Sequence, residues 1–490
     1  MRILFTHSYF LRFDEKQWKI MQPYAPLGTL FAAAFLRKYG YDVALHDVMF
    51  LEDAEAIKPV LASYQPDMLV IYDDGFNYLT KMCLTNMREA AFEMSRLAKA
   101  QGCMVAVSSS DSTDHFTKYL DHGADFIMLG EAEQTLLELS NGLRDHNLQP
   151  ESIAGLAFWR DGETIRTRAR PVMSDLDSLP LPAWDLADME AYRKAWKSST
   201  GYFSINMSTT RGCPFKCNWC AKPIYGNRYN ARTPEHVFRE LKWLHETYHF
   251  DHIWFCDDIF GLKPGWVKRF SALLKESGIR VPFRIQSRAD LLLKDEQVGP
   301  LAEAGCEMVW MGAESGSQKI LDAMDKGTKV AQIKEARKLL KEHGIKTSFF
   351  LQFGYLGEEM EDILKTIQLV EETMPEDLGI SVSYPLPGTV FFENVKAGLQ
   401  HKANWTDSDD LDLMFKNNYS REFYKQLHRY LHYRYRERKG EMLLQAMLKG
   451  KAIPNARNVR AIISGRFAGI KKNKVRTVLH NLEPAARGVL

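Results

Sequence analysis

The stretch SINMSTTRGCPFKCNWCAKPIYGNRY, residues 204–229, decides how the rest of the chain is read. It opens as a short apolar strand, turns at Arg211 and Gly212, and then spaces Cys213, Cys217 and Cys220 as C-x-x-x-C-x-x-C. Thiolates this close in sequence can converge on one metal centre. A ferredoxin cubane takes four cysteines, and a structural zinc site closes four ligands around its ion. Here only three are local, which leaves one metal position open in the manner of a catalytic site. Two alternatives remain on spacing alone: a zinc knuckle completed by a distant Cys256 or Cys306, or three unrelated core cysteines.

Moving outward toward the C-terminus, strand-like runs alternate with helical stretches from Ser204 to about Lys396. They are SINMSTTRG, HIWFCDD, PFRIQSRAD, MVWMGAES, KTSFFLQFG and ISVSYPLPG. Six βα units predict an incomplete barrel, open on one side, with polar and glycine residues at the strand ends where such barrels place active sites.

The cysteine spacing, with the aromatic Trp219 before the last cysteine, resembles the radical S-adenosylmethionine (SAM) family. The resemblance covers the whole 204–396 segment. It implies a 4Fe-4S cluster on Cys213, Cys217 and Cys220 whose open iron chelates SAM, and reductive cleavage of SAM to a 5′-deoxyadenosyl radical. It also implies SAM contacts at Trp219 and at successive strand ends. Asp257 and Asp258 would receive the methionyl ammonium, Gln286 and Arg288 would lie near the carboxylate or ribose, Glu314 and Ser315 near the ribose, and Gly354 near the adenine. Read as isolated residues, these carboxylates are equally surface charges or helix caps, Arg288 a structural ion pair, and Gly354 a turn glycine.

Toward the N-terminus, MRILF, DVALHDV, DMLVIYDD, MVAVSSS and ADFIMLGE alternate with helices, predicting a doubly wound, Rossmann-like parallel sheet over residues 1–145. The phrases PYAPLGTLFAAAFLRKYGYDV and GADFIMLGEAEQTLLEL resemble the cobalamin-binding domain that precedes the barrel in one radical SAM subgroup. That subgroup includes methylases of unactivated carbon and the anaerobic magnesium-protoporphyrin monomethyl ester cyclase. The resemblance implies a cobalamin site at Pro26, Gly28, Ser108, Ser109, Ser110, Gly130 and Glu131. The first loop, THSYFLRFD, departs from the D-x-H-x-x-G pattern that supplies a cobalt-ligating histidine, so His7 is not expected to be a lower ligand; Asn77 or Tyr78 is the candidate for approach to that face.

A hairpin (GLAFWRDGETIRTRARP) and a proline-bearing acidic linker (DLDSLPLPAWDL) fill residues 146–200, the barrel spans 201–398, and a helical region spans 399–490. The fold class is therefore α/β: a Rossmann-like domain, a partial (β/α)6 barrel and a helical C-terminal region. The Arg-, Lys- and Tyr-rich run YSREFYKQLHRYLHYRYRERKG reads as a solvated helix packed over the barrel opening, ahead of a binding patch for an anionic substrate or a membrane.

Sixty-four lysines and arginines against 62 aspartates and glutamates leave a charge of +2, too small a field for a nucleic-acid partner to be expected. No run is long and apolar enough to predict a membrane span, the first residues lack a signal-peptide pattern, and seven cysteines do not form a spaced, even framework. A cytoplasmic location is expected.

The expected function is that of a cobalamin-dependent radical SAM enzyme altering an unactivated carbon, by methyl transfer ahead of oxidative ring formation. Its partners would be an unidentified small-molecule substrate and a reductase, flavodoxin or ferredoxin electron donor. No further catalytic residue is assigned. A methylthiotransferase would need a second cysteine-bound cluster in the first domain, which holds only Cys83 and Cys103. The non-enzymatic alternatives are an iron-sulfur electron carrier and a zinc-stabilised scaffold.

Overall fold

The computed structural model describes residues 1–76, 84–220, 222, 224–399, 404–405 and 411–483; Asn77, Tyr78 and Cys83 lie outside them. Its two compact units are Met1–Phe215 with Ala221–Ile285 and Ala403–Asp410, and Lys216–Cys220 with Gln286–Lys402 and Leu411–Leu490.

The N-terminal sheet grows from strands β1 (Arg2–Thr6), β2 (Asp42–His46), β3 (Met68–Tyr72), β4 (Met104–Ser108) and β5 (Phe126–Met128), followed by the hairpin β6 (Leu156–Arg160) and β7 (Glu163–Arg166). Their order is β2-β1-β3-β4-β5-β6-β7. The first five are parallel, and β6 and β7 continue antiparallel. Strand β3 reads MLVIY and is buried at every residue, as a parallel strand covered on both faces requires. Alternate side chains feed opposite cores: Ile3 and Phe5 pack with Val70 and Ala106, while Leu4 packs with Leu69, Ile71 and Val105. The hairpin, which the sequence groups with the linker, extends this sheet because Leu156, Ala157 and Phe158 are apolar and pair in register with Met128, Ile127 and Phe126.

A two-residue ribbon, β9 (Thr210–Arg211) against β10 (Asn230–Ala231), follows β8 (Ser204–Met207). Strands β8, β11 (His252–Phe255), β12 (Phe283–Ser287), β13 (Cys306–Glu314), β14 (Lys346–Phe353) and β15 (Asp377–Val382) then form an open six-stranded sheet in chain order, the expected half-barrel. Helices separate the strands. The first, α1 (Pro234–Tyr248), starts where sequence chemistry places it, with Pro234 in its first turn and the Thr233 hydroxyl accepting from the His236 N–H.

The C-terminal region is a hairpin of two long helices, α2 (Arg421–Leu448) and α3 (Ala456–Leu482), capped by Ser420 and Asn455. They cross at glycines. A Cβ on Gly440 would sit 3.2 Å from the Gly465 Cα, so the backbones touch where side chains are missing. Among the described residues, no helix is long and apolar enough to cross a membrane.

Candidate functional site

In the first unit, the approach to Cys213 is braced from three sides. The Asp257 carboxylate, 1% exposed at the end of β11, accepts from the Thr209 N–H (2.7 Å), the Thr209 hydroxyl (2.6 Å) and the Thr210 N–H (2.8 Å). Burial pushes its carboxyl up to about 6, against the pull of these donors. Arg211 is buried and pairs with both Glu131 (2.5 Å) and Glu133 (2.6 Å), while the rings of Phe31, Phe76 and Tyr225 surround its guanidinium at 5.4–5.9 Å. Gly212 holds φ +79°, and a Cβ there would meet the Arg228 carbonyl oxygen at 2.3 Å, so only glycine makes the turn into Cys213.

In the second unit, Cys217 and Cys220 bracket a pinned loop. The Asn218 side-chain amide donates to the Ala323 carbonyl (2.7 Å) and Asp325 (3.2 Å), its N–H to the Met324 carbonyl (3.0 Å), and its side-chain oxygen accepts from the Tyr355 hydroxyl (2.5 Å). Arg288, at the end of β12, directs Nη1 to Cys217 Sγ at 3.7 Å, a cation beside a thiol, and is itself held by Asp290 and the Lys326 carbonyl. Trp219 is half-buried, and its indole N–H has no hydrogen-bond partner among the described residues.

The other residues expected around SAM fall on strand ends as well. Asp258 is exposed and Gln286 half-buried. Glu314 closes β13 in the left-handed region, φ +58°, an uncommon conformation for a residue with a side chain, and pairs with buried Lys326 at 2.7 Å. The fully buried Ser315 hydroxyl lies 3.1 Å from that of Thr366 and accepts from the Ser317 N–H. Gly354, φ +77°, donates its N–H to Glu358 (2.6 Å), and a Cβ on it would lie against Leu413 and Tyr424.

Pro26 and Gly28 lie at the start of the helix Leu27–Lys38 that leads into β2, where the Gly28 N–H donates to Asp74 and a Cβ would come within 3.2 Å of it. Ser108 ends β4; Ser109 and Ser112 cap each other reciprocally, and Ser110 opens the short helix that follows. Gly130 and Glu131 follow β5, with Glu131 committed to Arg211 and to the Met173 N–H. Of these positions, Gly130 borders a cleft of about 540 Å³, together with Thr113, Leu129, Arg166, Val172, Ile224, Tyr225 and others. That volume is of the size used for small molecules and cofactors.

The cysteines other than the motif's have different surroundings. Cys256 is a buried thiol donating to the Met207 carbonyl, and Cys306 one near the Met308 carbonyl, its thiol pushed up by burial. Neither is presented as the fourth ligand of a zinc knuckle. Among the described residues no group of three or more His, Cys, Asp or Glu side chains has metal-holding geometry, and the motif cysteines form no disulfide. Three half-buried motif thiols, Cys217 among them beside the Arg288 guanidinium, nevertheless suit an anionic thiolate-ligated cluster, and a cleft beside Gly130 at the end of β5 suits a cofactor edge.

The sequence reading missed Arg211, Asn218, Lys326, Tyr355 and Glu358. Asn218 had a signal, its place inside the motif; Arg211, Lys326 and Tyr355 act through partners distant in sequence, from 12 residues for Lys326 to 137 for Tyr355, while Glu358 meets Gly354 four residues away but owes its character to burial, which spacing does not reveal.

A family model described as the radical SAM superfamily matches residues 207–370. An uncharacterised methyltransferase of Pyrococcus horikoshii is 27% identical over 402 residues, 80% of this chain and 83% of that protein. An anaerobic magnesium-protoporphyrin IX monomethyl ester cyclase of Synechocystis is 29% identical over 325 residues, 65% of this chain and 62% of the cyclase. Among solved structures, the cobalamin-dependent SAM radical enzyme OxsB, with aqua-cobalamin and SAM bound, matches 99% of this chain and 73% of its own with a TM-score of 0.76 at 16% identity. The radical SAM methyltransferase TsrM of Kitasatospora setae, with tryptophan and a SAM analogue bound, matches 82% and 79% with a TM-score of 0.65 at 19% identity. At these identities the structural likeness is one of fold.

Proposed function

We propose that this chain, a radical SAM domain fused to a cobalamin-binding-like fold, is an enzyme that cleaves SAM reductively and transfers a methyl group to an unactivated carbon of a small molecule. The observation that carries the reading is the C-x-x-x-C-x-x-C loop at the mouth of a parallel half-barrel, entered through a turn that only Gly212 can make. When bound, the cluster would supply the electron for SAM cleavage and cobalamin the methyl group.

The chain's own part is placement. Cys213, Cys217 and Cys220 would hold the cluster, Asp257 and Asn218 fix the two halves of its loop, and Arg288 lowers the cost of negative charge on Cys217. Ser108, Ser109, Ser110, Gly130 and the cleft beside Gly130 would receive cobalamin. Pro26 and Gly28 would shape the same strand-end edge, and Glu131 would act there through its pair with Arg211. Trp219, Asp258, Gln286, Glu314, Ser315 and Gly354 would frame SAM, and a flavodoxin, ferredoxin or dedicated reductase would deliver the electron.

The test is anaerobic purification with hydroxocobalamin supplied, followed by iron, sulfide and cobalt analysis and a product search. About four irons and one cobalt per chain, with S-adenosylhomocysteine and a substrate heavier by one methyl group, are expected. Likeness to the cyclase makes oxidative ring formation the competing reaction. A product that loses hydrogen without gaining carbon selects it. A colourless, iron-free protein overturns both.

A further inference from the structure

We propose that the α2–α3 hairpin is a docking surface for anionic lipid bilayers, which it meets side-on as an amphipathic element without crossing them. The charge is the first observation. From Arg421 to Glu483 the chain carries sixteen lysines and arginines against four glutamates, a formal +12 within a protein whose total is +2. The positive charge is thus gathered on one helical pair, and the remainder is acidic. Two of the four glutamates are used inside the hairpin, Glu437 by Lys472 (2.7 Å) and Glu441 by Arg438 (3.2 Å). Arg460, Arg466 and Lys474 make no ion pair among the described residues.

The second observation is that α3 is apolar on two opposite faces. One, with Gly465, Ala468, Gly469 and Leu479, is buried. On the other, Val459, Ile463, Phe467, Ile470 and Val478 recur at helical spacing, with Phe467 63% and Ile470 57% exposed. Leu448 and Ile453, at the tip between the helices, are 80% and 78% exposed. Single exposed apolar residues need no explanation, but a stripe unbroken from Val459 to Ile470, flanked by Arg460, Arg466 and Lys471 and followed along its line by Lys474, does.

The chemistry selects the occupant. A second copy of the chain docking through the same hairpin would bring +12 against +12. A nucleic acid answers the charge but offers no apolar bed for Ile463, Phe467 and Ile470. An anionic bilayer supplies both, with phosphates for the basic side chains and acyl chains for the stripe. This inference is independent of the reaction proposed above, since it rests on residues outside the half-barrel.

The full-length protein is sedimented with phosphatidylcholine vesicles and with vesicles containing about one third phosphatidylglycerol. Binding to the second and not the first is expected, weakening as salt rises. Two surface variants, Ile463→Ser/Phe467→Ser/Ile470→Ser and Arg460→Glu/Arg466→Glu/Lys474→Glu, each bind about tenfold more weakly while keeping the parent melting temperature. Hydrogen exchange at 456–482 slows on adding anionic vesicles, a readout that needs no variant. The proposal fails if the parent stays in solution with anionic vesicles or if neither variant differs from it. It also fails if the apolar variant converts a lipid-free dimer to monomer, or if an oligonucleotide is bound more tightly than the vesicles and equally by the apolar variant.

Discussion

Glu358 is a carboxyl group kept from water. It is 1% exposed, one oxygen accepts from the Gly354 N–H, the other has no partner among the described residues, and burial pushes its pKa up to about 8. Because the folded chain holds this proton more tightly than the unfolded one, stability falls as pH rises from the ordinary value of 4.5 to about 8. Glu358→Gln keeps an acceptor for Gly354 and removes the titration. Its melting temperature relative to the parent should therefore climb across that interval, and a constant difference would show that the group does not titrate there. Arg211 poses the opposite problem, a cation whose removal strands two buried carboxylates. Arg211→Met should cost about 3–5 kcal/mol in chemical denaturation. Adding Glu131→Leu and Glu133→Leu should recover most of that loss, because buried ion networks are replaceable as a set.

At the level of elements, the turn from β9 into Cys213 leaves no room for a side chain at Gly212. Gly212→Ala puts a methyl carbon where the Arg228 carbonyl sits, so the loop must shift. The expected result is a folded protein, unchanged in circular dichroism, that retains less than about half of the parent's iron after anaerobic reconstitution. Strand ends and helix starts were legible because they are written locally: the MLVIY run of β3, Thr233-Pro234 before α1, and the cysteine spacing itself. The hairpin β6–β7 was seen as an element but not as part of the sheet, since pairing with β5 depends on register across 28 residues and leaves no local mark. The same limit hid the Tyr355–Asn218 bond and the two-sided character of α3, whose second apolar face is recognisable only when the first is seen to be packed.

At the scale of the whole chain, the proposed cofactor positions separate along the sequence, those for cobalamin before 132 and those for the cluster after 212. Cys217→Ser should thus abolish iron retention while leaving cobalt near one per chain; loss of both metals together would show that the two sites form only as one. The fold class was legible from the sequence, because periodicity encodes it directly, and the cysteine spacing marked the loop proposed to hold the cluster. The Asp257 bracing of the loop was not, because a carboxylate at a strand end reads the same whether it faces a ligand or its own backbone.

The strand order carries a consequence for how the molecule comes into being. In the half-barrel each strand lies beside its predecessor in the chain, from β8 through β15, and the N-terminal sheet has all seven of its strands by residue 166. A growing polypeptide leaving the ribosome can therefore complete the first sheet before the cysteine loop has been translated, and afterwards add the second sheet one strand at a time. No strand waits long for a partner, so during synthesis each sheet exposes one strand at its growing side beside the lasting edge at β2 or β8.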